Sequence, residues 1–338
     1  MTVPAEDSFD ALFRGNRVVA HTGARYPVLQ APMTWIARAP LVSAVSAAGA
    51  LGMLETTLCD FDAITREFRA IRERTANPFG VSLPVRFLKR DPVNESRILD
   101  WLLGNGLQLV TTAAGDPSRY VATLKKADVT VYHAVPSLRA ALKAAEAGVD
   151  GLVVEGAESA GIRNEEEIHN FVLLQLVREH VSLPLIAAGG IVDGRGMAAA
   201  FALGAEGVAM GTRFVASHES PVHPNFKAAI VAAPALATSL APFPPRANLR
   251  TLRLPETVSK VDEPSAASDL IERVYIAGET TRAAGPAGES AALVHDVRTV
   301  AEIIEETVRG FRHVIQQLNC RSSELPMLIR LLSALSGN

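Results

Sequence analysis

Cysteine is scarce in this chain of 338 residues, where only Cys59 and Cys320 occur. Two cysteines so far apart provide neither a disulfide framework nor a zinc site, and they are consistent with a reducing compartment. Long apolar runs are also missing, since the longest reach about ten residues and a bilayer-spanning helix needs about 20. Segment 1–18 carries Glu6, Asp7 and Asp10 and lacks an apolar core, which is unlike a signal peptide. We therefore expect a cytoplasmic protein without a membrane partner.

Blocks of like charge and the common nucleotide-binding motifs are absent as well. The formal net charge is −3 and no stretch concentrates basic residues, which argues against a nucleic-acid partner. Neither GxGxxG after an early strand nor GxxxxGK followed by Ser or Thr occurs, so no Rossmann or Walker-type site is indicated. His218 and His223 flank Glu219, but they lack the i, i+4 spacing that zinc enzymes place on one helix face. We expect no metal site.

Short β-prone runs recur along the first two thirds of the chain, and a helical pattern follows most of them. Several are apolar throughout, as expected for parallel strands that are covered on both faces. Their even alternation with helices favours a closed α/β barrel, a (β/α)8 TIM barrel, with an open doubly wound sheet as the alternative. The predicted strands are 28–31, 51–54, 79–85, 107–112, 130–134, 151–156, 185–190 and 207–212.

The pattern changes after Phe214, where prolines from Pro221 to Pro255 crowd the sequence. We predict that residues 217–283 form a smaller, mostly helical lid subdomain over the barrel. The barrel itself would comprise residues 1–216 and 284–338, with an amphipathic helix at 297–318 and a helical tail at 324–335. Trp35 either floors a substrate cavity or lies in the interface with this lid.

The strongest chemical signal lies at the ends of the last two predicted strands. The seventh ends in Ala188, Gly189 and Gly190, and the eighth ends in Gly211 and Thr212. Barrels often hold a phosphate between these two loops and a nearby helix N-terminus. Glycine lets backbone N–H groups approach the anion, and a helix dipole favours negative charge. Two glycine-bearing turns on adjacent strands favour a phosphate site over simple tight turns.

Several motifs together resemble one known family. They are Gln30-Ala31-Pro32-Met33, Asn77-Pro78-Phe79-Gly80-Val81, Gly189-Gly190-Ile191-Val192-Asp193-Gly194-Arg195-Gly196 and Met210-Gly211-Thr212-Arg213-Phe214, with Glu219-Ser220-Pro221 downstream. The chain is similar in these motifs to nitronate monooxygenases, also called 2-nitropropane dioxygenases. It is also similar to flavin-dependent enoyl reductases and NADH:quinone reductases of the same barrel type. Segment 235–285 resembles the family only weakly.

The resemblance implies a non-covalent FMN. Its phosphate would lie on Gly189, Gly190, Gly211 and Thr212, and its ring would lie near the Ala31–Met33 motif, with the small residues after strand six close by. NAD(P)H is a possible reductant. The cofactor-binding residues implied are Ala31, Pro32, Met33, Ala160, Gly161, Ala188, Gly189, Gly190, Met210, Gly211 and Thr212.

One position departs from the family pattern. After strand six the family usually has a His that acts as a base, and Ile162 stands at that position here. Isoleucine cannot accept a proton, and general-base catalysis contributes about 10²- to 10⁴-fold. A preformed nitronate needs no base, so nitronate oxidation would survive while nitroalkane oxidation would be weak.

Two other residues are catalytic candidates because they end barrel strands. His133 ends strand five, where it would point toward the barrel mouth, or it is held by a neighbouring backbone group. Glu155 ends strand six as a base or orienting group, although a loop Glu-Arg pair with Arg163 is often a solvated ion pair. Arg163 could instead grip an anionic substrate or an NAD(P)H phosphate.

The leading hypothesis is an FMN-dependent oxidoreductase that oxidises alkyl nitronates with O₂ to a carbonyl compound and nitrite. The alternative is an NAD(P)H-dependent reductase of a quinone or enoyl thioester, which Ile162 favours. A phosphate-binding isomerase or aldolase would want a Lys at a strand end, and none is there. A flavin-binding protein without turnover is the fourth option. We expect a small-molecule substrate and a possible homodimer.

Overall fold

A parallel sheet of eight strands forms the centre of the computed structural model. The structure describes residues 12–57, 60–88, 92–163, 168–243, 247–253, 271–281, 283 and 285–335. A smaller sheet of three strands accompanies the eight-stranded sheet. The strands of both sheets, in chain order, are β1 (Val28–Gln30), β2 (Gly52–Glu55), β3 (Phe79–Pro84), β4 (Leu109–Ala113), β5 (Thr130–Val135), β6 (Gly151–Glu155), β7 (Gly161–Arg163), β8 (Leu185–Ala188), β9 (Gly207–Met210), β10 (Thr238–Phe243) and β11 (Ala247–Leu252).

The sheet closes on itself. Its strand order is β1-β9-β8-β6-β5-β4-β3-β2, and every neighbouring pair is parallel. Between the two end strands, the N–H of Gln30 donates to the Leu51 carbonyl at 3.0 Å. The N–H of Leu51 donates to the Val28 carbonyl at 2.8 Å. The predicted (β/α)8 barrel is therefore confirmed, and the open doubly wound sheet is wrong.

Helices follow most strands and cover the outside of the barrel. A π-helical turn (Ile271–Ile276) and a 3-10 helix (Glu289–Leu293) occur late in the chain. The α-helices are α1 (Arg17–Thr22), α2 (Ala39–Ala47), α3 (Phe61–Arg74), α4 (Val85–Leu88), α5 (Pro92–Gly104), α6 (Ser118–Lys126), α7 (Leu138–Glu146), α8 (Asn170–His180), α9 (Gly194–Ala202), α10 (Thr212–Val215), α11 (Pro224–Val231) and α12 (Val300–Leu335).

Helix starts and stops follow the local sequence signals. The Ser137 side chain accepts a hydrogen bond from the Ala140 N–H and so caps α7. The Asp193 carboxylate does the same for α9 through the N–H groups of Arg195 and Gly196. Helix α12 is one helix, where the sequence suggested two. It packs on the barrel helices, with the rings of Phe311 and Phe201 4.8 Å apart.

Two apolar layers show which way the side chains of the barrel strands point. An inner cluster fills the barrel, and an outer cluster lies between the strands and the helices. Successive strand residues alternate between these layers because side chains along a strand have a period of two. The inner layer includes Leu29, Met53, Leu109, Tyr132, Ile186 and Ala209. The outer layer includes Val28, Leu54, Val110, Val131, Val135, Leu152, Val154 and Val208.

The segment proposed as a lid contains a β-hairpin that the sequence did not indicate. Strands β10 and β11 pair antiparallel, and β11 also pairs with β7, which follows the barrel strand β6. In its described part, α11 and the π-helical turn accompany these two strands, and a lid subdomain at 217–283 stays a prediction. Pro242 lies in β10, which is an edge strand of this sheet. An edge strand tolerates proline because it needs no N–H donor on its outer side.

Among the described residues, no helix combines the length and apolar character needed to cross a membrane.

Candidate active site

Small side chains line the opening at the carboxyl-terminal ends of the barrel strands. Because Leu109 and Tyr132 face the interior, Ala113 and Ala134 face it too, at the ends of β4 and β5. Both alanines are partly exposed. Val153 is also partly exposed although it packs against the inner cluster. The barrel interior is therefore partly accessible from this end.

The turn after β8 has a backbone that only glycine adopts readily. Gly189 and Gly190 have φ values of +101° and +76°, in the left-handed region. A Cβ atom on Gly189 would lie 2.5 Å from the Ser159 Oγ. In the described part of the chain, the N–H groups of both glycines and of Gly211 have no protein acceptor. These donors are available to an anion.

A second close approach joins the turns after β6 and β9. The N–H of Gly288 donates to the Thr212 Oγ1 at 2.9 Å, and the N–H of Glu289 donates to the Glu158 carbonyl at 2.9 Å. A Cβ atom on Gly288 would lie 2.7 Å from the Glu158 oxygen and 3.3 Å from the Ala160 nitrogen. The start of the 3-10 helix thus closes a cradle formed by the turns after β6, β8 and β9.

The loop after β1 lies next to this cradle. The N–H of Ala31 donates to the Met210 carbonyl at 2.9 Å. A Cβ atom on Gly211 would lie 3.6 Å from the Met33 Sδ and 3.7 Å from the Ala31 Cβ, which is ordinary contact. Pro32 is exposed beside them. The Met210 side chain is buried in the outer layer, so only its backbone belongs to the site.

The start of α9 already has an acceptor of its own. The Asp193 carboxylate accepts hydrogen bonds from the N–H groups of Arg195 and Gly196 and pairs with Arg195 at 2.8 Å. The free N–H of Gly211 lies instead just before α10, which begins at Thr212.

A carboxyl group and a guanidinium meet at the mouth. Glu155 faces the interior at the end of β6, two residues after Val153, and its side chain is 32% exposed. The Nη1 of Arg163 donates to the Glu155 Oε1 at 2.8 Å, and its Nη2 donates to the Gly156 carbonyl at 2.8 Å. Burial raises the pKa of the Glu155 carboxyl, while Arg163 and a hydrogen bond from Ser159 oppose the rise. A proton can therefore reside here at a higher pH than on an ordinary glutamate.

A family model described as nitronate monooxygenase matches residues 16–310. The chain belongs to the nitronate monooxygenase family. The members of this family are flavin oxidoreductases.

Curated relatives carry two kinds of name. A nitronate monooxygenase of Paraburkholderia phytofirmans is 27% identical over 348 residues, covering 88% of this chain and 95% of that protein. A (3aS,4S,5R,7aS)-5-hydroxy-7a-methyl-1-oxo-octahydro-1H-indene-4-carboxyl-CoA dehydrogenase of Rhodococcus jostii is 34% identical over 205 residues. That match covers 61% of this chain, and it spans only 56% of the dehydrogenase.

Solved structures agree with the fold. FabK from Thermotoga maritima superposes with a TM-score of 0.81 at 34% identity, covering 90% of this chain and 99% of that chain. A nitroalkane oxidase from Streptomyces ansochromogenes superposes with a TM-score of 0.74 at 24% identity, covering 89% of this chain and 99% of that chain, and supports the fold alone.

The mouth and the cradle fit the flavin that the family uses. The free N–H groups of Gly189, Gly190 and Gly211 suit a phosphate, which needs several donors at close range. The neighbouring mouth offers the small, partly exposed Ala113 and Ala134 to a planar ring. The cofactor positions that the motifs indicated thus lie together.

The structure does not bring His133 to the mouth. Since Tyr132 belongs to the inner layer and Val131 and Val135 to the outer, His133 faces the helices. Its Nδ1 lies 2.8 Å from the Thr112 Oγ1, and only 4% of the residue is exposed. Burial lowers the pKa of His133 to about 4. The expected orientation was wrong by one residue of strand alternation, and His133 is not a catalytic candidate.

Position 162 does not face the Glu155 carboxyl. Strand β7 places Ile162 opposite Leu249 of β11, and Ile162 is 44% exposed. Its neighbours Gly161 and Arg163 are on the other face of β7, where the Arg163 guanidinium reaches Glu155. Gly161 has a φ of +75°, and the preceding Ala160 is partly exposed. In this fold the residue after Gly161 that faces Glu155 is Arg163.

Two residues at the site were missed by sequence reasoning. Gly288 follows the lid segment and carried no motif, yet it contacts both Thr212 and Glu158. Asn170 is the first residue of α8, and its side chain contacts the turn after β8. No local motif marks Asn170, because its side-chain partners Ala188 and Gly189 are distant in the sequence.

Proposed function

We propose that this protein is an FMN-dependent reductase that uses NAD(P)H and acts on the activated double bond of an enoyl thioester. The observation that carries the proposal is the Glu155 carboxyl at the mouth, partly exposed and with a raised pKa. Reduction of such a double bond requires a hydride at one carbon and a proton at the next. Nitronate oxidation requires no such proton donor. The 34% identity to the FabK enoyl reductase over 99% of its chain supports this choice.

The residues of the cradle would hold a non-covalent FMN. Gly189, Gly190 and Gly211 would donate backbone N–H groups to its phosphate, beside the Thr212 hydroxyl, with Ala188 and the Met210 backbone next to them. Ala31, Pro32 and Met33 on one side and Ala160 and Gly161 on the other would border its ring. When bound, FMN supplies the capacity to accept a hydride from a reduced nicotinamide and to release it to a carbon acceptor.

Glu155 would hold the proton for the substrate carbon. Burial keeps the proton on the carboxyl to a higher pH, and Arg163 fixes the carboxyl through its 2.8 Å contact. The Ser159 hydroxyl, which also bonds Glu155, would help to hold it toward the mouth. The small residues at the ends of β4 and β5 would leave space for the substrate.

Nitronate oxidation is the second candidate, and the family match over residues 16–310 favours it. A nitronate anion is already deprotonated, so the lack of a base at Ile162 does not hinder this reaction. It would yield a carbonyl compound and nitrite.

A homodimer and a cytoplasmic location remain predictions.

Anaerobic stopped-flow absorbance of the flavin-loaded enzyme distinguishes enoyl thioester reduction from nitronate oxidation. We expect NADPH or NADH to bleach the flavin, and a 2-enoyl thioester to restore its colour. E155Q should keep the first step and slow the second about 10²-fold. E206Q is the matched control, because Glu206 pairs with Arg17 and Arg178 away from the mouth. Bleaching by propionate 3-nitronate, with no response to either nicotinamide, would contradict the reductase proposal and support nitronate oxidation.

A further inference from the structure

Asn170, at the start of α8, connects the turn after β8 with the turn after β6. Its side-chain Nδ2 donates to the carbonyls of Ala188 at 2.7 Å and Gly189 at 2.8 Å. Its backbone N–H donates to the Glu158 carboxylate at 3.0 Å and 3.2 Å. Asn170 is 8% exposed, and its Oδ1 has no hydrogen-bond partner within the described chain. The amide therefore binds the turn after β8 from the side of α8.

These two hydrogen bonds determine where the turn points its donors. In a trans peptide the C=O group and the N–H group that follows it point in opposite directions. Because the carbonyls of Ala188 and Gly189 both point at Asn170, the N–H groups of Gly189 and Gly190 both point away from it. Successive N–H groups turned to one side form an anion-binding concavity. The left-handed φ values of the two glycines make this arrangement possible.

Neighbouring residues pack tightly around the Asn170 side-chain amide. A Cβ atom on Gly156 would lie 2.6 Å from the Asn170 Cγ and 2.2 Å from a Glu158 carboxylate oxygen. Glycine at 156 is therefore required where the amide and the carboxylate pass the end of β6. The side chain is therefore held in one orientation.

We propose that Asn170 is a positioning residue that sets the phosphate-binding conformation of the Gly189–Gly190 turn, an inference that rests on the proposed FMN. Asn170 does not touch the flavin in this account; it acts through the two carbonyls. Its effect is therefore confined to the phosphate end of the cofactor. Riboflavin has the same ring and lacks the phosphate, so the two ligands distinguish this role from a general structural one.

The test compares FMN and riboflavin binding to the full-length apoprotein by quenching of flavin fluorescence. N170D keeps the shape but loses the amide donor and places a carboxylate oxygen against two carbonyls. We expect N170D to weaken FMN at least about tenfold and to leave riboflavin affinity unchanged. N170S, which removes the amide without adding charge, should show the same selectivity and serves if N170D does not fold. N77D is the control, because the Asn77 Nδ2 donates to the Ser46 carbonyl at 2.9 Å, far along the chain from the cradle.

Three results would overturn the inference. Equal weakening of FMN and riboflavin would make Asn170 a general structural residue. Unchanged FMN affinity in both variants would show that the turn keeps its conformation unaided. A wild-type protein that binds neither FMN nor riboflavin would overturn the FMN proposal itself and this inference with it, which separates the two failures.

Discussion

The indole ring of Trp35 stacks on the ring of Tyr275, with centroids 5.9 Å apart and an interplanar angle of 22°. Trp35 has a φ of +64°, and its backbone N–H donates to the Glu55 Oε1 at 3.0 Å. Glu55 is buried and pairs with Arg38 at 3.0 Å. Glu55 of the barrel strand β2 thus holds the loop that follows the Ala31–Met33 motif. The Trp35 ring of this loop contacts the π-helical turn. Of the two roles considered for Trp35, the contact with the segment after the hairpin is the observed one.

Removal of this stack should loosen the π-helical turn. An aromatic pair contributes about 0.5–1.5 kcal/mol beyond its area burial, so W35L should expose Ile271–Ile276 locally more than it destabilises the fold. Amide hydrogen exchange measures this directly, and we expect faster exchange across that turn. W101L is the matched control, because Trp101 packs on Phe68 at 4.9 Å in a different region. Equal acceleration of the turn in both variants would contradict a local role for Trp35.

Loss of the Arg163 guanidinium should change both stability and pH dependence. Arg163 is 3% exposed, and breaking a buried ion pair costs about 3 kcal/mol, less where one partner reaches solvent as Glu155 does. We expect R163M to lower the free energy of unfolding by about 2 kcal/mol in urea titrations. Arg163 lowers the pKa of Glu155, so its removal raises that pKa further.

The catalytic consequence of R163M follows from the sign of that shift. If protonated Glu155 supplies the proton, activity declines as pH rises through its pKa, and R163M moves this decline to higher pH. R195M is the control, since the Arg195 side chain is 80% exposed and its pair with Asp193 should contribute little. A pH–rate profile of R163M that overlays the wild type would show that Glu155 does not govern the decline.

Sequence patterns predicted the barrel strands well, because apolar runs and glycine-bearing turns are local features. They did not predict the direction of the residues at the strand ends. Strand β5 reads TVYHAV, with apolar residues on both faces, so its pattern gives no inward face. The observed position of Tyr132 in the inner layer shows that His133 faces outward. The packing of Val153 against the same layer shows that Glu155, two residues further on, faces inward.

Long-range pairings were beyond the sequence for a different reason. Strand β7 has three residues and is stabilised by pairing with β11, whose Asn248 lies opposite Arg163. No local period marks so short a strand, and its partner comes from the weakly similar segment 235–285. The direction of Ile162 and the burial of Arg163 depend on this pairing. The same holds for Asn170, whose partners Ala188 and Gly189 lie on a different strand and turn.

His133 should make the protein less stable as the pH falls. Burial lowers the pKa of His133 in the folded protein to about 4 from 6.5. Between these two pH values the imidazole is protonated in the unfolded chain and neutral in the folded chain. Its contribution to stability is complete above pH 6.5 and is lost as the pH falls toward 4, and it amounts to about 3 kcal/mol. Urea titrations at several pH values would measure it. H133N has no such group, so its free energy of unfolding should vary less with pH across that window. Parallel curves for the two proteins would contradict a buried neutral His133.

The Gly189 turn offers the sharpest separation of backbone strain from site geometry. Gly189 and Gly106 both have positive φ, at +101° and +62°, so alanine strains both backbones by about 1–2 kcal/mol. A Cβ at Gly106 meets nothing within 4 Å, whereas a Cβ at Gly189 would lie 2.5 Å from the Ser159 Oγ and 3.1 Å from the Ser159 N. G189A must therefore move the turn or the loop after β6, and both belong to the cradle. We expect G106A to lose stability alone and G189A to lose FMN affinity as well, measured by fluorescence titration beside thermal unfolding. Full FMN affinity in G189A would mean that the phosphate lies elsewhere, because a turn displaced by that contact cannot present the same pair of N–H groups.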